Sequence, residues 1–258
     1  MKRVRFRDPA GTVRTGEWLA DDGTPAEAAV AGAGGQIAFG DERYTPDEVD
    51  ILPPCEPSKI VCIGRNYADH ADEMGSEVPD RPLLFLKGPN AVSHHGSDIT
   101  LPAGKERLDY EAELAVVIGE QCRHVSEENA LDVVDGYTCM VDLSNRDDQE
   151  RETNWVRGKA FDNAAPLGPV VASPDSVPAD AQIQLWVNDE LKQSASRAQL
   201  IFPIPELIAE ITTYMTLEPG DVIATGTPEG VGPLADGDEV TVEVEGVGRL
   251  SHTVSIPE

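Results

Sequence analysis

The chain has 258 residues, with 20 Lys and Arg against 47 Asp and Glu and a formal net charge of -27. That balance excludes nucleic acid as a partner, because such binding depends on Lys and Arg displacing counterions from phosphates, and it disfavours anionic membrane surfaces for the same reason. With 40% hydrophobic residues the chain can bury a real core, which excludes a disordered protein.

Residues 1–57 read as a small β-rich N-terminal domain and linker. Short polar and apolar alternations run through this segment, broken by glycine turns at Gly32-Ala33-Gly34-Gly35 and Gly40-Asp41. Three prolines in Leu52-Pro53-Pro54-Cys55-Glu56-Pro57 block both helix and interior strand and mark a boundary. The larger unit spans 58–258. It opens with a buried strand at Ile60-Val61-Cys62-Ile63 ending at Gly64, and a short helix is predicted in 67–74 before Gly75. Further strands are predicted at 83–86, 111–118, 137–143, 183–187, 222–225 and 240–244. Helices are predicted from Ser126, as N-cap, to near Gly136, and from Pro205, with Gly220 beyond the end. Strands outnumber helices, so the fold class is α+β and β-dominated, with sheets that wrap or stack to bury their faces.

No run of roughly 18 apolar residues occurs, so no membrane-spanning helix is expected. The basic segment Met1 to Arg7 leads into Asp8, Pro9 and Gly11 rather than an apolar signal core, which argues against secretion. Cys55, Cys62, Cys122 and Cys139 lack CxxC spacing and read as reduced thiols of a cytoplasmic protein. Only six of the basic residues are Lys and 14 are Arg. Together with the acidity this points to a halophilic, high-salt cytoplasm, where concentrated salt screens self-repulsion.

Four segments carry candidate chemistry. Between Leu108 and Gly119, Asp109, Glu111 and Glu113 share one parity and Tyr110, Ala112, Leu114, Val116 and Ile118 the other, which in a strand puts the carboxylates on one face. Acid pairs two apart are common by chance in so acidic a chain, and alone would read as a solvated face. However, Asp142 also interrupts an apolar run, Cys139-Met140-Val141-Asp142-Leu143, and a lone acid there wants a partner. Three carboxylates without Cys or clustered His describe a hard-oxygen site for Mg²⁺ or Mn²⁺, with Ca²⁺ less suited. His94-His95, beside a glycine, reads as loop rather than ligand. In Gly64-Arg65-Asn66-Tyr67-Ala68-Asp69-His70-Ala71-Asp72-Glu73, helical spacing brings His70 and Glu73 to one face, where the carboxylate orients the imidazole as a general base. Finally, Asp221 to Gly232 leaves a strand for a glycine-rich loop that lets backbone approach a ligand closely. It lacks the Walker lysine and the GxGxxG pattern.

Seven ordered blocks, GRNYADHADEM (64–74), LLFLKGP (83–89), DYEAELAVVIG (109–119), VDLSNRD (141–147), GKAFD (158–162), PLGP (166–169) and GDVIATGTPEGVGPL (220–234), resemble the fumarylacetoacetate hydrolase family. The resemblance implies a mixed β-sandwich roll, a homodimer, and a metal held by Glu111, Glu113 and Asp142, with Asp109 outside the ligand set. It also implies a water-activating dyad of His70 and Glu73 on a segment that closes over the substrate, with Lys159, Arg65, Lys87, Gln149 and Thr227 around the substrate. The small-molecule substrate would be a 2-oxoacid, processed through a metal-stabilised enolate. Acylpyruvate hydrolysis or oxaloacetate decarboxylation leads, ahead of a 2-hydroxyhepta-2,4-diene-1,7-dioate isomerase or a 2-keto-3-deoxy sugar acid dehydratase. Two departures stand out: the segment from Gln193 to Phe202 lacks the family's Asn-Thr-Ser-Asp-Met run, and Val141 replaces a frequent Asn. The competing reading from another class is a non-catalytic acidic protein that binds divalent cations diffusely.

Overall fold

The computed structural model describes residues 1–20, 34–73, 75 and 78–257. Part of the predicted turn at Gly32-Ala33 and Met74 at the end of the first predicted helix lie outside the described residues.

Most of the regular structure among the described residues is β because the apolar segments are short, β-branched and bounded by Gly, Pro and Asp. The largest sheet has twelve strands, and its main path runs from Glu42–Tyr44 through Gln36–Phe39, Val13–Leu19, Lys2–Arg7, Ala165–Ala172, Val134–Val141, Ala112–Ile118, Val222–Ala224 and Ile60–Gly64 to Leu83–Lys87. The N-terminal strands therefore join the larger unit directly, with Lys2 opposite Ala172 and Val4 opposite Val170. A five-stranded sheet orders Glu190–Ser196, Gln182–Val187, Glu239–Val244, Gly248–Ser255 and Asp98–Thr100. It packs across the first: Gly248–Ser255 lies on Ala165–Ala172, Glu239–Val244 on Val134–Val141, and Gln182–Val187 on Ala112–Ile118. Between them Leu114, Met140, Leu167, Leu185, Val242 and Leu250 are fully buried, the expected core of stacked sheets.

The helix Ile204–Tyr214 buries Ile204, Leu207, Ile208, Ile211 and Thr212, an i, i+3, i+4, i+7, i+8 stripe that seats it on the fold, and Pro205 stands in its first turn as predicted. The helix predicted from Ser126 is different. Ser126 does precede a helical segment, but this is a 3-10 turn at Glu127–Val133, and the chain is already a strand over Val134–Val141 when it reaches Gly136. A Cβ at Gly136 would come within 2.2 Å of the Ala172 carbonyl oxygen, so this glycine permits close strand contact rather than ending a helix. No helix among the described residues is long and apolar enough to cross a membrane, and all four cysteines are unpaired.

Candidate metal centre and active site

Two central strands assemble the carboxylates. Ala112–Ile118 pairs antiparallel with Val134–Val141, with Ala112 opposite Val141 and Glu113 opposite Met140. One step further along, the Asp142 amide donates to the Glu111 carbonyl at 2.9 Å, so Glu111, Glu113 and Asp142 converge at one end of the ladder. The strand predicted at 111–118 starts at Ala112, and Glu111 lies between it, in the large sheet, and Leu108–Tyr110 of a three-stranded sheet. Ligand oxygens of Glu111, Glu113 and Asp142 all lie within 4.8 Å of one another, the metal-capable group found among the described residues. These residues are 5%, 1% and 0% exposed, which excludes a solvated acidic face. Asp109 leaves the group: it is buried and held by Arg107 and Arg146, whose Nη2 and Nε atoms lie 3.0 and 2.8 Å from its Oδ2.

Three buried cations surround the triad. Lys159 Nζ lies 2.8 Å from both Glu111 Oε2 and Asp142 Oδ2, and also donates to Ser144 Oγ. Arg146 Nη2 donates to Glu111 Oε1 at 2.6 Å. Lys87 Nζ lies 2.7 Å from Asp142 Oδ1 and donates to the carbonyls of Leu143, Ala164 and Lys159. Burial opposes ionisation of Glu111, but Lys159 and Arg146 overcome it and hold the carboxyl well below the usual range. Burial and the Asp142 charge push Glu113 the other way, well above it, against the Gly226 N–H that donates to its Oε2 at 2.7 Å. For Lys159, burial works against the charged form, yet Asp142 and Glu111 raise its pKa. Three hard oxygen donors, one of them costly to ionise alone, fit a small divalent cation.

Beside Glu111 of the triad is a cavity of about 60 Å³ lined by Arg65, His70, Phe85, Glu111, Arg146, Gln149, Trp155, Lys159 and Thr227, among others. His70 lies on the short helix Ala68–Glu73, and its Nδ1 is 3.2 Å from Glu73 Oε2. The carboxylate accepts, so Nδ1 carries the proton and Nε2 is left as the basic atom. Glu73 also accepts from the Gly230 N–H at 3.1 Å. Arg65 adopts a left-handed backbone at φ 58, an uncommon conformation for a residue with a side chain. Gln149 Oε1 accepts from Arg146 Nη1 at 2.7 Å. Of the residues predicted around the substrate, Arg65, Gln149, Thr227 and Lys159 line this cavity and Lys87 does not. Lys87 is fully buried beneath Asp142, its ammonium taken up by backbone carbonyls. His94 and His95 lie apart from the triad, near Gly248–Ser255, where His95 Nδ1 accepts from the Ser251 N–H at 3.1 Å.

The model of the fumarylacetoacetate (FAA) hydrolase C-terminal family matches residues 59–255. The chain belongs to that family. It is 43% identical over 230 residues to the oxaloacetate tautomerase YisK of Bacillus subtilis, covering 84% of this chain and 76% of that one. The crystal structure of 5-carboxymethyl-2-hydroxymuconate delta-isomerase from Mycobacterium smegmatis superposes with a TM-score of 0.87 at 36% identity, over 100% of both chains. Fumarylpyruvate hydrolase from Pseudomonas aeruginosa, solved with Mn²⁺ and pyruvate, superposes at 0.75 and 32% identity, over 87% of this chain and 97% of that one. These neighbours share the sheet-dominated α+β fold, and the family's enzymes are metal-dependent.

Sequence reasoning missed Arg146, Ser144, Phe85 and Trp155 in the site. Arg146 is separated from Asp109 and Glu111 by more than thirty positions, and nothing local marks an arginine in Asn145-Arg146-Asp147 as buried. A buried acid cluster requires compensating cations, and that requirement is the signal that points to such a residue without saying which one.

Proposed function

We propose that this chain is a divalent-metal-dependent enzyme acting on a compact 2-oxoacid, with hydrolytic cleavage of an acylpyruvate as its reaction. The observation that carries the reading is that Glu111 of the buried triad Glu111, Glu113 and Asp142 and His70 of the His70–Glu73 pair line one cavity. The cavity volume of about 60 Å³ suits a small acid rather than a nucleotide or polymer, whose sites are several times larger. Glu111, Glu113 and Asp142 would hold Mg²⁺ or Mn²⁺, which would supply Lewis acidity toward the substrate's 2-oxoacid oxygens. Lys159 adds a fixed positive charge beside the same oxygens, while Arg65, Gln149 and Thr227 hold the rest of the molecule. His70 Nε2 takes a proton from water, with Glu73 stabilising the resulting imidazolium through Nδ1. The hydroxide adds to the distal carbonyl, the carbon–carbon bond breaks, and its electron pair leaves on the pyruvate carbon as the enolate. That carbon then takes the proton held on His70 Nε2, giving pyruvate and a carboxylic acid that ionises, and restoring the imidazole.

A second reading is tautomerisation of oxaloacetate, supported by the 43% identity to the Bacillus tautomerase. There His70 moves a proton between the C3 carbon and the 2-oxygen, with no water consumed. Decarboxylation of oxaloacetate releases CO₂ and leaves the same pyruvate enolate as the hydrolysis, without a proton being taken from water. The homodimer belongs to the same proposal: Leu83–Lys87 ends the large sheet, and Leu86 is 51% exposed on it. Light scattering on the purified protein tests it.

In molar KCl with Mn²⁺, the protein should release pyruvate from acetylpyruvate and should stop doing so with EDTA or after His70→Ala. Rapid loss of the oxaloacetate enol absorbance without pyruvate release selects the tautomerase. No metal-dependent turnover of either acid by folded protein overturns the reading and favours diffuse cation binding.

A further inference from the structure

The loop Gly226 to Gly230 touches both halves of the site. The Gly226 N–H donates to Glu113 of the triad, the Gly230 N–H donates to Glu73 of the dyad, and Thr227 between them lines the cavity. Something must hold this loop in place, because both glycines have positive φ, +102 and +93, and glycine carries the largest entropic cost of ordering.

The residue that holds it is Gln193, on the strand Glu190–Ser196 of the five-stranded sheet. The residue is 1% exposed and both ends of its carboxamide are hydrogen-bonded. Oε1 accepts from the Ala112 N–H at 2.8 Å, and Ala112 sits between the triad members Glu111 and Glu113. Nε2 donates to Thr227 Oγ1 at 2.9 Å, to the Pro228 carbonyl at 2.8 Å and more weakly to the Glu229 carbonyl. The amide has one orientation. A backbone N–H faces one end and backbone carbonyls the other, so the oxygen must point at Ala112 and the nitrogen at the loop. An independent contact points the same way: a Cβ at Gly230 would lie 2.3 Å from the Lys192 carbonyl oxygen, so this loop is seated directly on the backbone beside Gln193.

We propose that Gln193 is the positioning residue of this site: it locks the loop 226–230 and, by donating to Thr227 Oγ1, leaves the Thr227 hydroxyl proton free to be donated into the cavity. A hydroxyl whose lone pair is occupied in this way favours a ligand that presents an acceptor, such as a carboxylate or oxo oxygen, over one that presents a donor. The same clamp joins the metal-ligand strand to the dyad, because a shift of the loop moves Gly226 from Glu113 and Gly230 from Glu73 together. The acceptor role of the ligand rests on the function proposed above; the locking of the loop does not.

Two measurements separate these parts. The first is hydrogen–deuterium exchange of the peptide containing 225–231 in metal-free protein. Gln193→Met, which keeps the length and apolar stem but makes no hydrogen bonds, should speed exchange there at least tenfold relative to the unaltered chain. Unchanged protection overturns the proposal whatever the protein binds. The second is calorimetric titration of Mn²⁺ and then of oxalate, a planar dianion resembling a pyruvate enolate. Gln193→Met should weaken oxalate about tenfold and Mn²⁺ less than threefold, since Glu111 keeps Arg146 and Lys159 as partners. Thr227→Val should weaken oxalate similarly, and the double substitution should do no worse than either alone. A purely structural role predicts additive losses, and additivity overturns the proposal. If Gln193→Met fails to fold, Gly230→Ala lifts the same loop off Lys192 and should show the same exchange and oxalate losses. Absence of metal-dependent oxalate binding by the unaltered protein overturns the function reading and the donor role of Thr227, while the exchange result still decides the locking of the loop.

Discussion

Replacing Lys87 by Met separates two roles for this lysine. Its ammonium is fully buried, lies 2.7 Å from Asp142 Oδ1, and donates to the carbonyls of Leu143, Ala164 and Lys159. Methionine matches the stem but leaves three buried carbonyls without this donor and Asp142, which is itself fully buried, with Lys159 as its remaining ion-pair partner. Breaking a buried pair by removing one partner costs about 3–5 kcal/mol. For a protein of this size each kcal/mol lowers the melting temperature by about 2–4 °C, so a fall of about 6–20 °C is expected. Differential scanning fluorimetry in EDTA reads that fall, and repeating it in Mn²⁺ should show a smaller one, because a cation at the triad supplies charge beside Asp142 that the lysine no longer does. A melting temperature within about 2 °C of the unaltered protein, together with a selective rise in KM, refutes this and puts the Lys87 ammonium on the substrate instead.

Three other outcomes follow from the same physics. Glu113→Gln should abolish the single tight Mn²⁺ site per chain in calorimetry, leaving weak, multiple binding; an unchanged affinity would place the ion elsewhere. His252 is buried with neither ring nitrogen hydrogen-bonded, and burial, assisted by His95, pushes its pKa down to about 3. A depressed folded pKa means that this stability is fully present above the unfolded value near 6.5 and is lost as the pH falls from there toward 3, by up to about 1.4 kcal/mol per pH unit. Urea unfolding between pH 6.5 and 5 should therefore show a slope that His252→Leu flattens, and an equal slope in both proteins counts against it. With a net charge of -27, thermal stability should rise as KCl goes from ~0.1 M to ~2 M, because screening shortens the range of self-repulsion; a fall would mean that the ion pairs outweigh the repulsion.

Much of the candidate site can be read from the chain because its chemistry is local. Glu111 and Glu113 are two apart, His70 and Glu73 three apart on a short helix, and Asp142 breaks an apolar run, each a pattern that a one-dimensional reading can weigh. The strand positions were legible for the same reason, since alternation and β-branched runs are properties of neighbours. The failures lie where a local pattern admits two structures. Ser126 is a sound N-cap signal, yet the segment after it winds only to Val133 before Val134–Val141 pairs with Ala112–Ile118 on one side and Ala165–Ala172 on the other. Tertiary pairing overrode helical capping there.

By itself, the sequence determined a β-dominated α+β chain, a hard-oxygen triad and the family to which it belongs. Only the tertiary structure decided that Lys87 lies under Asp142 rather than in the cavity, that Asp109 is drawn away by Arg107 and Arg146, and that Gln193 from the second sheet holds the loop joining triad to dyad. Each of those outcomes depends on which distant residues meet. In a chain whose sheets are built from strands far apart in sequence, partners such as Gln193 and Ala112 or Lys87 and Asp142 are set by strand order and sheet stacking, and those are settled by burying the core as a whole.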